Sequence, residues 1–108
     1  MNEYIQVLTT TETKETAEKI AETLVDKRMA GCVQIIGPIT SIYRWKGKIE
    51  KAEEWLCQIK TKGELYGEVE ETILQIHTYE TPEIVSMPII AGNKKYLQWL
   101  NSELKTKK

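Results

Sequence analysis

Residues 76–84 read IHTYETPEI and hold the single histidine of the chain. His77 is followed within six residues by Tyr79, Glu80, Pro82 and Glu83. As a metal ligand the imidazole would need partners, and one imidazole with nearby carboxylates is a weak constellation for a metal ion. Two cysteines are present, Cys32 and Cys57, and neither stands in a CxxC or CxxxH spacing, so the pattern of a structural zinc site is absent. His77 also has a plainer role available. It falls on the apolar stripe of a helix, at the last turn, where an imidazolium complements the negative end of the helix dipole. Cys57, between Leu56 and Ile59, reads as a small buried hydrophobe, whereas Cys32 sits at a strand start and is more open.

No phosphate-binding loop, GxGxxG, HExxH or nucleophile elbow occurs, and no Ser/His/Asp set has a recognisable spacing. Nothing in the sequence argues for an enzyme. The carboxylate pairs Glu53–Glu54 and Glu70–Glu71 read as solvated surface charge.

The 108 residues carry 41% hydrophobic and 29% charged side chains with a net charge of -1, which fits one globular domain spanning 1–108. The near-neutral balance argues against nucleic acid as a partner. The terminal KTKK reads as a solvated tail rather than a phosphate-binding arm. No apolar run reaches the ~20 residues of a membrane span, and the N-terminus lacks a signal-peptide pattern. The expected location is the cytoplasm, with both thiols free.

Hydrophobic spacing gives the elements that must position these residues. YIQVLTT (4–10) is a strand, and the threonines around Thr11 and Thr13 offer an N-cap. Ala17, Ile20, Ala21, Leu24, Val25 and Met29 then repeat at helical spacing over 13–29, with Lys27 and Arg28 suited to the C-terminal dipole and Gly31 as the stop. Residues 32–45 form a second strand interrupted at Gly37-Pro38, which calls for an edge or a bulge. After a turn at Lys46-Gly47, residues 48–61 return with Trp55, Cys57, Ile59 and Thr61 on one face. A second helix follows over 63–77. An edge strand runs over 83–90, and a short helix capped by Asn93 reaches about Leu104. Pairing Trp45 with Lys48 sets Cys57 opposite Ile36 and leaves Cys32 ~13 Å away along the sheet, beyond the reach of a disulfide.

This order is the split βαβ, or ferredoxin-like, α+β pattern (β-α-β-β-α-β plus a C-terminal helix), with a four-stranded antiparallel sheet. The hairpin is too long for it. Each arm reaches ~45 Å at strand rise. A first helix of roughly 16 residues reaches only ~24 Å. The outer half, with Ile39, Ile42, Tyr43, Trp45 and Trp55, therefore protrudes. It needs another subunit, or a hairpin curled over its own sheet.

The segments GCVQIIGPITSIYRWKGKIE, CQIKT, HTYETPEI and YLQWL resemble those of the CutA divalent-cation tolerance family, and the likeness extends over nearly the whole chain. The resemblance implies a compact homotrimer, PII-like in assembly, in which long hairpins complete neighbouring sheets. It implies binding of copper or another divalent cation, with Cys32 and His77 as metal ligands. It also implies a cleft near a subunit boundary, to which Tyr43, Trp45, Lys60, Tyr79 and Glu83 would contribute. The alternative it leaves open is a signalling or scaffold trimer that takes a small anion or a partner protein in that cleft. Thr78 replaces the family's usual proline after the histidine, Gln34 its frequent asparagine, and Gly37-Pro38 reverses its Pro-Gly order.

Overall fold

The structure is a computed structural model, and it describes residues 3–106. Strands β1 (Tyr4–Thr11), β2 (Cys32–Trp45), β3 (Lys48–Lys62) and β4 (Ile84–Pro88) form one antiparallel sheet in the order β2-β3-β1-β4. Helices α1 (Lys14–Asp26) and α2 (Tyr66–Ile76) cover one face, and α3 (Lys94–Glu103) closes the chain. This is the expected ferredoxin-like α+β arrangement. Alternation along β1 and β3 sends Ile5, Val7, Cys57 and Ile59 toward the helices, where they meet Ala17, Ile20, Leu24, Val69 and Ile73 in the core.

Local signals act where the sequence puts them. Thr13 Oγ1 accepts from the Thr16 amide at 3.1 Å and starts α1, while Asn93 Oδ1 accepts from the Tyr96 amide at 3.0 Å and starts α3. Several expectations need correction. First, α1 ends at Asp26, before the expected Met29. Arg28, not a glycine, takes the left-handed conformation at φ 60°. The reason lies far along the chain. Its guanidinium donates to the carbonyls of Glu103 and Ser102, both at 2.9 Å, so Arg28 caps the C-terminus of α3 rather than that of α1. Gly31 does not stop α1. It lies against Leu100, where an added Cβ would stand 2.4 Å from Cδ1.

Second, Lys105, the first residue of KTKK, is held, because it donates its amide to Arg28 O at 2.9 Å and pairs with Glu68. Lys107 and Lys108 of the KTKK segment lie outside the described residues. Third, Cys57 stands opposite Ile35, one residue from the expected Ile36. The cause is the bulge between Ile36 and Ile39, where Gly37 and Pro38, joined by a cis peptide bond, face Trp55 alone. Both cysteines are free. The second helix also begins later, after a 3-10 turn over Gly63–Leu65, and β4 is shorter than 83–90.

The bulge reverses the alternation of β2. Below it Cys32, Gln34 and Ile36 pair with Lys60, Gln58 and Leu56 on the face away from the helices. Above it Ile39, Ser41, Tyr43 and Trp45 pair with Glu54, Ala52, Glu50 and Lys48 on that same face. The molecule is 44 Å long, about the length of the hairpin, and the outer half stays uncovered, with Ile42 67% and Ile49 68% exposed.

Two variants test this framework. An added Cβ at Gly37 would lie 2.4 Å from the indole of Trp55, so Gly37→Ala is expected to cost about 1–3 kcal/mol in urea unfolding. Arg28→Ala removes both side-chain bonds to α3. Amide exchange over 94–103 should then accelerate by about tenfold, the loss of roughly 1.4 kcal/mol of protection, while exchange in β1 and β3 stays slow.

Candidate functional site

The bulge and the turn after α2 build a cleft of about 770 Å³ at the base of the outer hairpin. Ser41, Tyr43 and Trp45 of β2 form one wall, Thr10 and Glu54 the floor, and residues 78–83 the other wall. His77 fixes that second wall. It is the C-cap of α2, and its amide donates to Ile73 O at 2.8 Å. Its Nδ1 accepts from the Tyr79 amide at 3.1 Å, which makes Nε2 the protonated nitrogen, donating to Thr10 O at 2.7 Å. The ring therefore ties the turn to β1 and leaves neither nitrogen spare. Tyr79 packs on it at 4.9 Å between centroids.

Tyr79 then reaches across the cleft and donates its hydroxyl to Glu54 Oε2 at 2.7 Å. Glu54 is only 6% exposed. Reading the Glu53–Glu54 pair as solvated surface charge is thus wrong for Glu54. Its strand position puts it on the face opposite Trp55 and Cys57, where the turn after α2 folds over it. Strand alternation alone carried that signal, and the covering turn could not be read from it. Burial and the Glu54 carboxylate both push the Tyr79 phenol well above the ordinary value of 10.0.

Four of the residues assigned by resemblance to a cleft, Tyr43, Trp45, Tyr79 and Glu83, line this one, joined by Glu54 and Glu80. Lys60 does not. It lies further down β3, opposite Cys32, and donates to Gln34 Oε1 at 2.8 Å. Cys32 and His77 are also apart within one chain. Cys32 is level with Gln6 of β1 through Lys60, whereas His77 is bound at Thr10, about four residues or ~13 Å along the strand. Among the described residues no three His, Cys, Asp or Glu side chains converge to hold a metal ion. One chain therefore offers an acidic, aromatic cleft and a separate half-buried thiol. The lining holds three carboxylates, Glu54, Glu80 and Glu83, and, among the described residues, no lysine or arginine.

Tyr79→Phe removes the one hydrogen bond shown to the buried Glu54 carboxylate, so a loss of about 1–3 kcal/mol is expected in chemical denaturation at neutral pH. The native protein holds the Tyr79 proton more tightly than the unfolded chain does. The associated stability is therefore complete below the ordinary phenol value of 10.0 and falls as pH rises above it. Melting temperatures measured across that range should drop less steeply in Tyr79→Phe than in the parent.

The profile of the family CutA1 divalent ion tolerance protein matches residues 5–103. The divalent-cation tolerance protein CutA of Thermus thermophilus is 43% identical over 87% of this chain and 91% of its own length. That of Archaeoglobus fulgidus is 40% identical over 94% of this chain and 96% of its own. The human Protein CutA is 44% identical over 81% of this chain, which spans about half of that longer protein, 49%. Among solved structures, the Thermus thermophilus protein superposes with a TM-score of 0.92 at 39% identity, covering 94% of this chain and 99% of that one. CutA1 from a Shewanella species superposes with a TM-score of 0.94 at 35% identity, covering 97% and 98%. The chain belongs to the CutA1 divalent ion tolerance family.

Proposed function

We propose that this chain serves divalent-cation tolerance by binding the cation itself, copper foremost, as a cytoplasmic homotrimer with no reaction of its own. The observation that carries the cation reading is the charge of the cleft. Three carboxylates without a lining lysine or arginine gather cations and repel anions. The same charge counts against the alternative of a signalling trimer that takes a small anion at this place. Relatives named for divalent-cation tolerance support the process.

Cys32 and His77 remain the softer candidate ligands, and they stand apart in one chain, so a shared site needs two subunits. His77 would have to release Tyr79 N–H or the Thr10 carbonyl to ligate. Two free thiols, one of them partly accessible, fit a reducing compartment. The trimer is supported by what one chain leaves uncovered. Ile36, Val85 and Met87 are exposed on the sheet face that carries no α1 or α2, alongside the exposed Tyr96 and Trp99 of α3 and the outer hairpin.

Titration of CuCl2 into the parent and into the Glu80→Gln/Glu83→Gln double variant, followed by calorimetry, tests the cation seat. Affinity should fall about tenfold, the lower end of what loss of supporting carboxylates does at metal sites. Superimposable isotherms would remove the cleft from the reading, and a loss confined to Cys32→Ser would move it to the thiol. Sedimentation equilibrium should give three times the chain mass of 12.5 kDa, and a monomer at micromolar concentration would refute the trimer.

A further inference from the structure

The cleft is larger than a single ion requires, and its walls are only partly those of a metal site. Its volume is about 770 Å³, and three aromatic side chains, Tyr43, Trp45 and Tyr79, line it beside the carboxylates of Glu54, Glu80 and Glu83. Trp45 already draws an ammonium group, with Lys46 Nζ 5.7 Å from the ring centroid. Glu54 forms the anionic floor of the cleft. It is 94% buried (6% exposed), it faces the cavity, and the partner it has is the neutral phenol of Tyr79. Among the described residues the ion pair present is Lys105 with Glu68, and none of their cationic side chains pairs with Glu54. The Tyr79 hydroxyl takes one oxygen of this carboxylate, Oε2, and among the described residues no partner is shown for the other, which leaves it available to a cation in the cavity.

We infer that the cleft binds a small organic ammonium ion, its alkyl groups against the aromatic walls and its charge directed at Glu54. The inference rests on the cation-selective reading above and narrows it. A hydrated metal ion engages the carboxylates and leaves the rings idle, whereas an alkylammonium uses both. Aromatic rings lined up with an anionic floor are the arrangement by which proteins recognise quaternary ammonium groups. Glu80 and Glu83, exposed on the turn, add long-range attraction at the mouth and little contact energy.

The test uses the full chain, uniformly labelled with nitrogen-15, and tetramethylammonium chloride as the probe against sodium chloride at matched ionic strength. Three indole N–H signals report Trp45, Trp55 and Trp99, and Trp45→Phe identifies the first. A saturable shift of Trp45 and of the Tyr79 amide is expected with tetramethylammonium alone, with Trp99 unmoved. Glu54→Gln retains an acceptor for the Tyr79 hydroxyl and removes the charge, and it should weaken binding at least fivefold while its spectrum stays folded. Equal binding to Glu54→Gln, or shifts no larger than those given by sodium chloride, would overturn the inference. A parallel calorimetric titration with Cu(II) separates the two readings. Copper binding at the glutamates without ammonium binding sinks this inference alone, and absence of both sinks the cation-selective cleft with it.

Discussion

The cleft depends on two residues of β2 standing opposite one of β3. Without the extra residue at Gly37-Pro38, the inner pairing would continue outward and Tyr43 would face the helix side of the hairpin. With it, Ser41, Tyr43 and Trp45 share a face with Glu54. The site is therefore a product of register. Trp55 holds the register from the other strand, with its ring packed on the bare Cα of Gly37 and Lys14 of α1 5.7 Å from its centroid.

The histidine that looks most like a metal ligand is used as a structural joint. Both ring nitrogens go to backbone groups, one on the turn and one on β1, so the imidazole substitutes for a strand hydrogen bond where the chain leaves α2. That joint fixes Tyr79, and Tyr79 fixes Glu54. Polar groups linked in series in a half-buried place are more rigid than any one of them alone. The cleft thus has one fixed wall, resting on β1, and one wall on a hairpin whose outer half no other described part of the chain covers.

Much of the fold was legible because its determinants are local. Period-2 runs marked the strands, period-3.6 runs the helices, and Thr13 and Asn93 are caps that a helix start recognises within three residues. What escaped was set by distant partners. Arg28 reads as the end of α1, yet its acceptors lie 74 and 75 residues away. Glu54 reads as one of a solvated pair, yet a tyrosine 25 residues on buries it. The interruption at Gly37-Pro38 was visible as an edge or bulge, while the one-residue shift it imposes on Cys57 was not. Tyr43, Trp45, Tyr79 and Glu83 of the cleft were visible as a group through resemblance, but the membership of Glu54 and Glu80, and the separation of Lys60 and Cys32, needed the register and the turn.

The place of β1 has a consequence for biosynthesis. It is the first strand of this sheet to be made, yet it lies between β3 and β4, the last two. Val7 finds its partners only when Ile59 and then Ser86 have been made. Until then β1 keeps at least one open edge, able to pair with another nascent chain. The hairpin of β2 and β3, by contrast, closes on contacts near in sequence. The sheet cannot close around β1 until β3 and β4 have been made, and slow synthesis prolongs the interval in which that strand is unprotected.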